Sequence, residues 1–378
     1  MGKKSALKEQ AAPKNRGKCM KIAIITINDY GNFGNRLQNY ALTHILRERF
    51  HCETYTLESY KENLPYRAHF VEWLKEQIGI WLCSTRWFSA NHRRSNFKRW
   101  SKQHIPVKRY YNVGHLPNYL NKEFDRFFVG SDQVWNYHFA KTNFEDTFLT
   151  FAENEKKIAV AASFGVDDIP KEKEDYYKNR LSSFKHISVR EEAGARIIKR
   201  LIGLDVPVLV DPVMMLSKQE WLRVAKKPFV DYSKPYVLKY YLGEKSESEV
   251  DVWARENGYD VFTLMDRRSV NLYATGPGEF ISLISNADLI CSDSYHCIVF
   301  SIIFRKPFIV YDRQGKYNNM QSRLHTLLDK FAFQNRWEKD VTEPYYLKCD
   351  YSQTDTILME EQKKFMEYIA KVLSDREE

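Results

Sequence analysis

The chain reads as an α/β protein of two Rossmann-like domains facing each other across a cleft. Short β-branched or apolar runs alternate with stretches of helical pattern, which implies βαβ units and a parallel sheet. That alternation stops near residues 213–232 and then starts again. Its 378 residues, 43% of them hydrophobic, exceed one ordinary domain and suffice for two cores.

Residues 1–20 carry Lys3, Lys4, Lys8, Lys14, Arg16 and Lys18 without an apolar stretch, so they read as a disordered basic tail and not a secretory signal. Residues 21–27, KIAIITI, form a near-continuous β-branched run, the mark of a parallel strand covered on both faces. A polar loop with Gly31 and Gly34 follows, then a helix over 36–50 and a strand over 53–57. Residues 70–104 differ in composition and read as a helical insert. Further strands are expected at 126–129, 157–163, 186–189 and 208–210, which places the N-terminal domain at 21–215. The C-terminal domain, 233–345, holds strands at 236–242 and 261–264, a helix at 246–257 and another from Gly276-Pro277-Gly278 to 286. A strand at 289–291, the turn Ser292-Asp293-Ser294, an apolar helix opening at Tyr295-His296 and a strand after Lys306-Pro307 complete it. A last helix within 355–375 is expected to pack back across the first domain.

Composition narrows the partners. A net charge of +9 suits anions. Nucleic acid is not expected, because no recognisable reading motif accompanies the charge. Six cysteines without a CxxC pair or His-rich zinc spacing read as reduced buried thiols of a cytoplasmic protein. No run reaches the roughly 18 apolar residues of a membrane span. The insert interleaves Trp73, Trp81, Trp87 and Trp100 with Arg86, Arg93, Arg94, Lys98 and Arg99. That pattern suits peripheral contact with the inner face of a membrane; a helical pair with a solvated basic face is the plainer alternative.

The candidate site lies where strands end. In open α/β folds ligands bind at the carboxyl ends of parallel strands, where helix amino termini offer free N–H groups and partial positive charge. Gly31, Asn32, Gly34, Asn35 and Arg36 occupy such a place after the first strand, and their glycines allow close backbone approach; a tight turn is the alternative. Ser131, Asp132 and Gln133 follow the strand at 126–129, beside Trp135, suited to a sugar or to helix capping around a buried tryptophan. Arg190 ends another strand, where a guanidinium can hold a phosphate or carboxylate bidentately or pair with Glu191 or Glu192. His296 adds a group that exchanges protons near neutral pH, set among Ser292, Asp293 and Ser294. Asp293 either orients its ring or caps the helix. Lys306 is a further candidate for the cleft.

Six blocks together carry a resemblance: NDYGNFGNRLQNYAL, VGSDQVWN, AASFG, ISVREEAG, PVLVDPVMML and SDSYHCIVFSIIFRKPFI. In that order and spacing the chain resembles the polysaccharide pyruvyl transferase family over residues 24–311. The resemblance implies a glycosyltransferase type B-like fold. It also implies transfer of a pyruvyl unit from phosphoenolpyruvate to two hydroxyls of a sugar, giving a pyruvate ketal on a surface-polysaccharide precursor, lipid-linked or free. His296 matches the family's acid and Arg190 its anion-binding arginine. No metal or organic cofactor is required by that scheme. One departure stands out: relatives commonly carry Arg-Leu-His where this chain has Ser294-Tyr295-His296, so a donor-binding arginine is missing, with Arg305 or Lys306 as replacements. Two other readings remain open. One is a glycosyltransferase of the same fold using a nucleotide sugar, with its diphosphate near Arg190 and the Gly276-Pro277-Gly278 helix start. The other is a non-catalytic subunit that binds glycan precursors.

Overall fold

The structure is a computed structural model and describes residues 19–59, 85–110, 115–139, 144–243, 248–313 and 322–375. Nearly all of the basic tail and the first part of the basic aromatic insert lie outside the described residues.

Two fully parallel sheets form the frame. The first contains β1 (Lys21–Ile25), β2 (Glu53–Ser59), β3 (Val107–Tyr110), β4 (Arg126–Val129), β5 (Lys157–Ala162) and β6 (His186–Val189) in the order β3-β2-β1-β4-β5-β6. The second contains β7 (Tyr236–Tyr240), β8 (Asp260–Thr263), β9 (Leu289–Ser292) and β10 (Phe308–Val310) in the order β10-β9-β7-β8. Both are doubly wound. The winding reverses between β1 and β4 in the first sheet and between β7 and β9 in the second, and such switch points open ligand crevices.

Alternation along the strands explains the layers. Ile22 and Ile24 point into one core while Ala23 and Ile25 point into another on the opposite face. The first of these cores also takes in Leu238 of β7 and Ile290 of β9, so one apolar mass joins the two sheets. Phe33 marks its centre, stacked on Phe280 with ring centroids 4.1 Å apart and flanked by Phe97 and Tyr240.

Two strand readings need correction. Residues 208–210 form no strand but only an isolated bridge, Val189 to Val208, because Pro207 and Pro212 deny the backbone two donors within six residues. β3 was not foreseen: its sequence VKRY is the charged, half-exposed pattern of a sheet edge and lacks an apolar period. The first helix also starts earlier than expected, at Phe33, and ends at His44 before a π-helical turn over Ile45–Arg49.

The insert's described part, the helix Thr85–His104, turns Arg93, Phe97 and Trp100 inward and leaves Arg94 and Arg99 exposed. Arg93, Phe97 and Trp100 are buried. Arg93 donates to Gly31 O at 2.8 Å on one side, and to Tyr273 O and Thr275 O at 3.2 Å on the other. Asn96 donates to Ala274 O, and the Trp100 indole to Val224 O. This helix is therefore a strap between the two halves, and these side chains are spent on that contact. Among the described residues no helix is long and apolar enough to cross a membrane.

Candidate active site

The strand ends of the first sheet are joined by side chains. Gln38, on the helix Phe33–His44, donates to Thr26 Oγ1 at 2.8 Å and accepts from Ser131 N at 3.0 Å, spanning the β1/β4 switch point. Ser131 Oγ donates to Asp211 Oδ2 at 3.0 Å. Asn35 Nδ2 donates to Asp132, whose second oxygen accepts from Gln133 N at 2.7 Å. Arg190, at the end of β6, donates through Nη1 to Asp211, while its Nη2 lies 3.8 Å from Asp132 Oδ1. All of these side chains are buried.

Arg190 does not pair with its sequence neighbours. Glu191 instead accepts from Ser163 Oγ, Phe164 N and Gly165 N at 3.1, 2.8 and 3.1 Å, pinning the loop after β5. That loop needs glycine at 165, whose φ of +65° is left-handed and where a β-carbon would overlap the Gln133 amide.

From the second sheet comes the helix Tyr295–Phe304, which opens directly after β9. His296 Nε2 lies 3.4 Å from Asp211 Oδ2, a charge contact without hydrogen-bond alignment. Its ring packs on Gly34, where a β-carbon would overlap Nδ1. The helix starts from opposite domains thus meet at a glycine and a histidine. Tyr295 lies against Arg190, 4.6 Å from ring centroid to guanidinium carbon, and edge-on to His296.

Electrostatics follow from this packing. Burial would raise the Asp211 carboxyl, but the His296 contact and the Arg190 charge outweigh it and hold the group well below the ordinary carboxylate range. Burial likewise opposes the Arg190 charge, yet Asp211, Tyr295 and Asp132 more than offset it. Even so, among the described residues Arg190 Nε and Nη2 have no acceptor. Buried donors of a cation left open in this way favour an anion.

Other expected residues do different work. Asn32 caps the first helix, accepting from Asn35 N at 3.3 Å, and Gly31 offers its carbonyl to Arg93. Arg36 closes its own loop by donating to Ile27 O and Asn28 Oδ1. Ser292 donates to Tyr240 O across the β7/β9 switch and accepts from Ser294 N. Asp293 neither orients His296 nor caps its helix; it accepts from Leu242 N and Gly243 N at 2.7 and 2.8 Å. Ser294 is the N-cap residue, with no side-chain cap bond. Trp135 is buried, donating to Thr147 O.

Lys306 is not brought to the site. It follows the helix that His296 begins, so roughly 15 Å of helix separates them. Arg305 lies at that same far end, donating to Ile302 O and Asp355. The Gly276–Gly278 helix start is also filled: Asn96 packs against Gly276 and Lys226 against Gly278.

A cavity of about 690 Å³ adjoins the network without touching His296 or Arg190. It is lined by Tyr30, Ser59, Arg94, Gln133, Asp146 and Tyr273 among others, a mixture of aromatic and polar groups at the ends of β1 and β2.

Every block singled out in the sequence therefore contributes to one connected network. A model of one family, polysaccharide pyruvyl transferase, matches residues 32–315. The chain belongs to the polysaccharide pyruvyl transferase family. It is accordingly a transferase. A search of curated proteins returned no match. Among solved structures, the UDP-GlcNAc 2-epimerase of Neisseria meningitidis bound to UDP-GlcNAc is similar at 12% identity and a TM-score of 0.45, covering 93% of this chain and 100% of that one. The UDP-GlcNAc 2-epimerase of Methanocaldococcus jannaschii, in complex with UDP-GlcNAc and UDP, is similar at 12% identity and 0.42, with coverage of 93% and 100%. The glycosyltransferase SnogD of Streptomyces nogalater is similar at 10% identity and 0.33, with coverage of 94% and 96%.

The site residue that sequence reasoning missed is Asp211. Its signal was present: an acid directly after the apolar run 208–210 and before a proline, where a strand-end carboxylate belongs.

Proposed function

We propose that the protein transfers a pyruvyl unit from phosphoenolpyruvate to two hydroxyls of a sugar in a surface-polysaccharide precursor. The observation that carries this reading is His296 held against Asp211 beside Arg190, whose Nε and Nη2 lack acceptors. A donor carrying both phosphate and carboxylate supplies the acceptors these cations need.

The chemistry balances with these residues alone. His296 protonates the methylene carbon of phosphoenolpyruvate, and the first sugar hydroxyl adds to the neighbouring carbon, its proton returning to the histidine. Phosphate then leaves with the bond electrons, Arg190 offsetting its charge. The second hydroxyl closes the ketal on the resulting oxocarbenium centre and gives up its proton with the departing phosphate. Asp211 stays ionised throughout and holds His296 and Arg190 in place. The acceptor takes the neighbouring cavity, which Tyr30 and Tyr273 help to line.

The test is phosphate release from phosphoenolpyruvate with polysaccharide-precursor acceptors, for wild type and His296→Gln. Release in the wild type that falls by roughly two to four orders of magnitude in the variant supports the acid role. No release with phosphoenolpyruvate, together with thermal protection by a nucleoside diphosphate, would sink the reading in favour of a nucleotide-sugar donor.

A further inference from the structure

The phosphoenolpyruvate reading leaves a gap at Ser294, where the family resemblance implies an arginine, and neither Arg305 nor Lys306 reaches the site. We propose that Arg323 fills that gap, forming with Arg190 a two-arginine pocket for the phosphate and carboxylate of the donor. This rests on the reading above and names a residue beyond the stretch, 32–315, that the family model matches.

Arg323 is the second residue of the helix Ser322–Lys330 and is only 5% exposed. Its guanidinium carbon lies 5.5 Å from the centroid of the Tyr295 ring, the same ring that Arg190 approaches at 4.6 Å. Tyr295 is the residue next to Ser294, so Arg323 packs on the turn from which the family arginine extends. Among the described residues Arg323 has no hydrogen-bond acceptor and no ion-pair partner, and its Nε is fully enclosed.

Two guanidinium groups around one buried ring repel each other. Burial, and after it the Arg190 charge, pull Arg323 down to about 10, still protonated at neutral pH. A structural arginine in a core is normally saturated by carbonyls. Arg336 shows this in the same fold, donating to Phe308 O, Tyr345 O, Tyr346 O and Lys348 O. Among the described residues Arg323 has no such acceptor. A dianionic group between Arg190 and Arg323 would satisfy both, and planar guanidinium forks match phosphate and carboxylate alike.

The experiment is thermal unfolding with graded phosphoenolpyruvate, inorganic phosphate or uridine diphosphate. It compares the wild type with Arg323→Met, which keeps the stem, Arg323→Lys, which keeps the charge, and Arg323→Met combined with Ser294→Arg. We expect Arg323→Met to bind phosphoenolpyruvate roughly ten- to a hundredfold more weakly. Arg323→Lys should lose less, and the double variant should regain part of the loss. The ligand-free melting temperature of Arg323→Met should be unchanged or higher, since a repelled, unpaired cation is removed.

Wild-type affinity for phosphoenolpyruvate in both single variants would overturn the assignment while leaving the donor reading intact. A clear fall in ligand-free melting temperature with affinity retained would also overturn it, marking Arg323 as structural. If the wild type ignores phosphoenolpyruvate but binds uridine diphosphate through Arg323, the donor reading falls and the two-arginine pocket stands. Indifference of the wild type to all three anions would remove both.

Discussion

The six-stranded sheet and the four-stranded sheet bring polar groups to the same crevice and treat them differently. In the first, side chains from separate strand ends are tied to one another, Gln38 to Thr26 and Ser131, Ser131 to Asp211, and Arg190 to Asp211. In the second, Ser292 and Asp293 serve the backbone of their own crossover, while Tyr295 and His296 face the partner sheet. One half is a preset bed of charges. The other delivers a ring that finds its carboxylate, Asp211, only across the boundary. The reacting geometry therefore depends on how closely the halves meet, and that can be broken from either side.

The largest effect should come from Asp211→Asn, which unties Ser131 and leaves Arg190 buried without its closest counter-charge. We expect a loss of about 3 kcal/mol of stability at neutral pH and near-complete loss of transfer, read by denaturant unfolding and phosphate release. The folded-state pKa of Asp211 lies below its ordinary 3.8. Its contribution is thus fully present above that value and is lost as pH falls through the lower, folded one. The gap between wild type and variant should accordingly hold from neutral pH to about 4 and close only in stronger acid.

Gly34→Val attacks the meeting itself. The added carbons must displace the His296 ring or separate the two helix starts, costing about 1–3 kcal/mol by overpacking. Transfer should fall about a hundredfold, because a shift near 1 Å at a reacting group is enough for that. A variant with full activity would show that the contact between the halves is not needed for turnover.

Arg93→Met removes the strap's bonds to Gly31, Tyr273 and Thr275 while keeping an apolar stem among the aromatics. We expect a loss of about 2 kcal/mol, with carbonyls left unpaired, and a smaller fall in rate than for Gly34→Val. Calorimetry sharpens this point: separate melting of the two halves in the variant would identify the strap as what makes them unfold together. Arg305→Gln and Lys306→Met stand at the small end. Donor affinity should stay unchanged, because both residues lie at the far end of the helix from His296, and stability should fall by no more than about 1 kcal/mol as half-buried pairs are lost.

Much of this was legible in the sequence because parallel strands buried on two faces are apolar throughout, as in KIAII and RFFV. β3 was not, since an edge strand with Lys108 and Arg109 has no such run. His296, Arg190, Asp132 and Asn35 were legible as candidates because each lies shortly after a strand or in the first turn of a helix, a position that local pattern does reveal. Asp293 and Lys306 were mistaken for cleft residues because chain proximity to His296 says nothing about which way a turn faces. Asp211 was passed over although its place after an apolar run was visible, whereas the neighbours of Arg323, Tyr295 and Arg190, come together only in the fold.

The helix Thr354–Ser374 has a consequence for how the molecule is made. Phe365, Ile369 and Val372 join the core beneath β1 and β5, Tyr368 donates to Ala159 O, and Asp375 holds both Arg126 and His186. The six strands of the first sheet are all synthesised by residue 189, yet one side of that sheet is covered by residues that emerge more than 160 positions later. The N-terminal half must therefore wait, partly uncovered, until the helix Thr354–Ser374 has been made. A transcript truncated before the last helix would release a protein with every proposed catalytic group in place and its apolar flank open to aggregation.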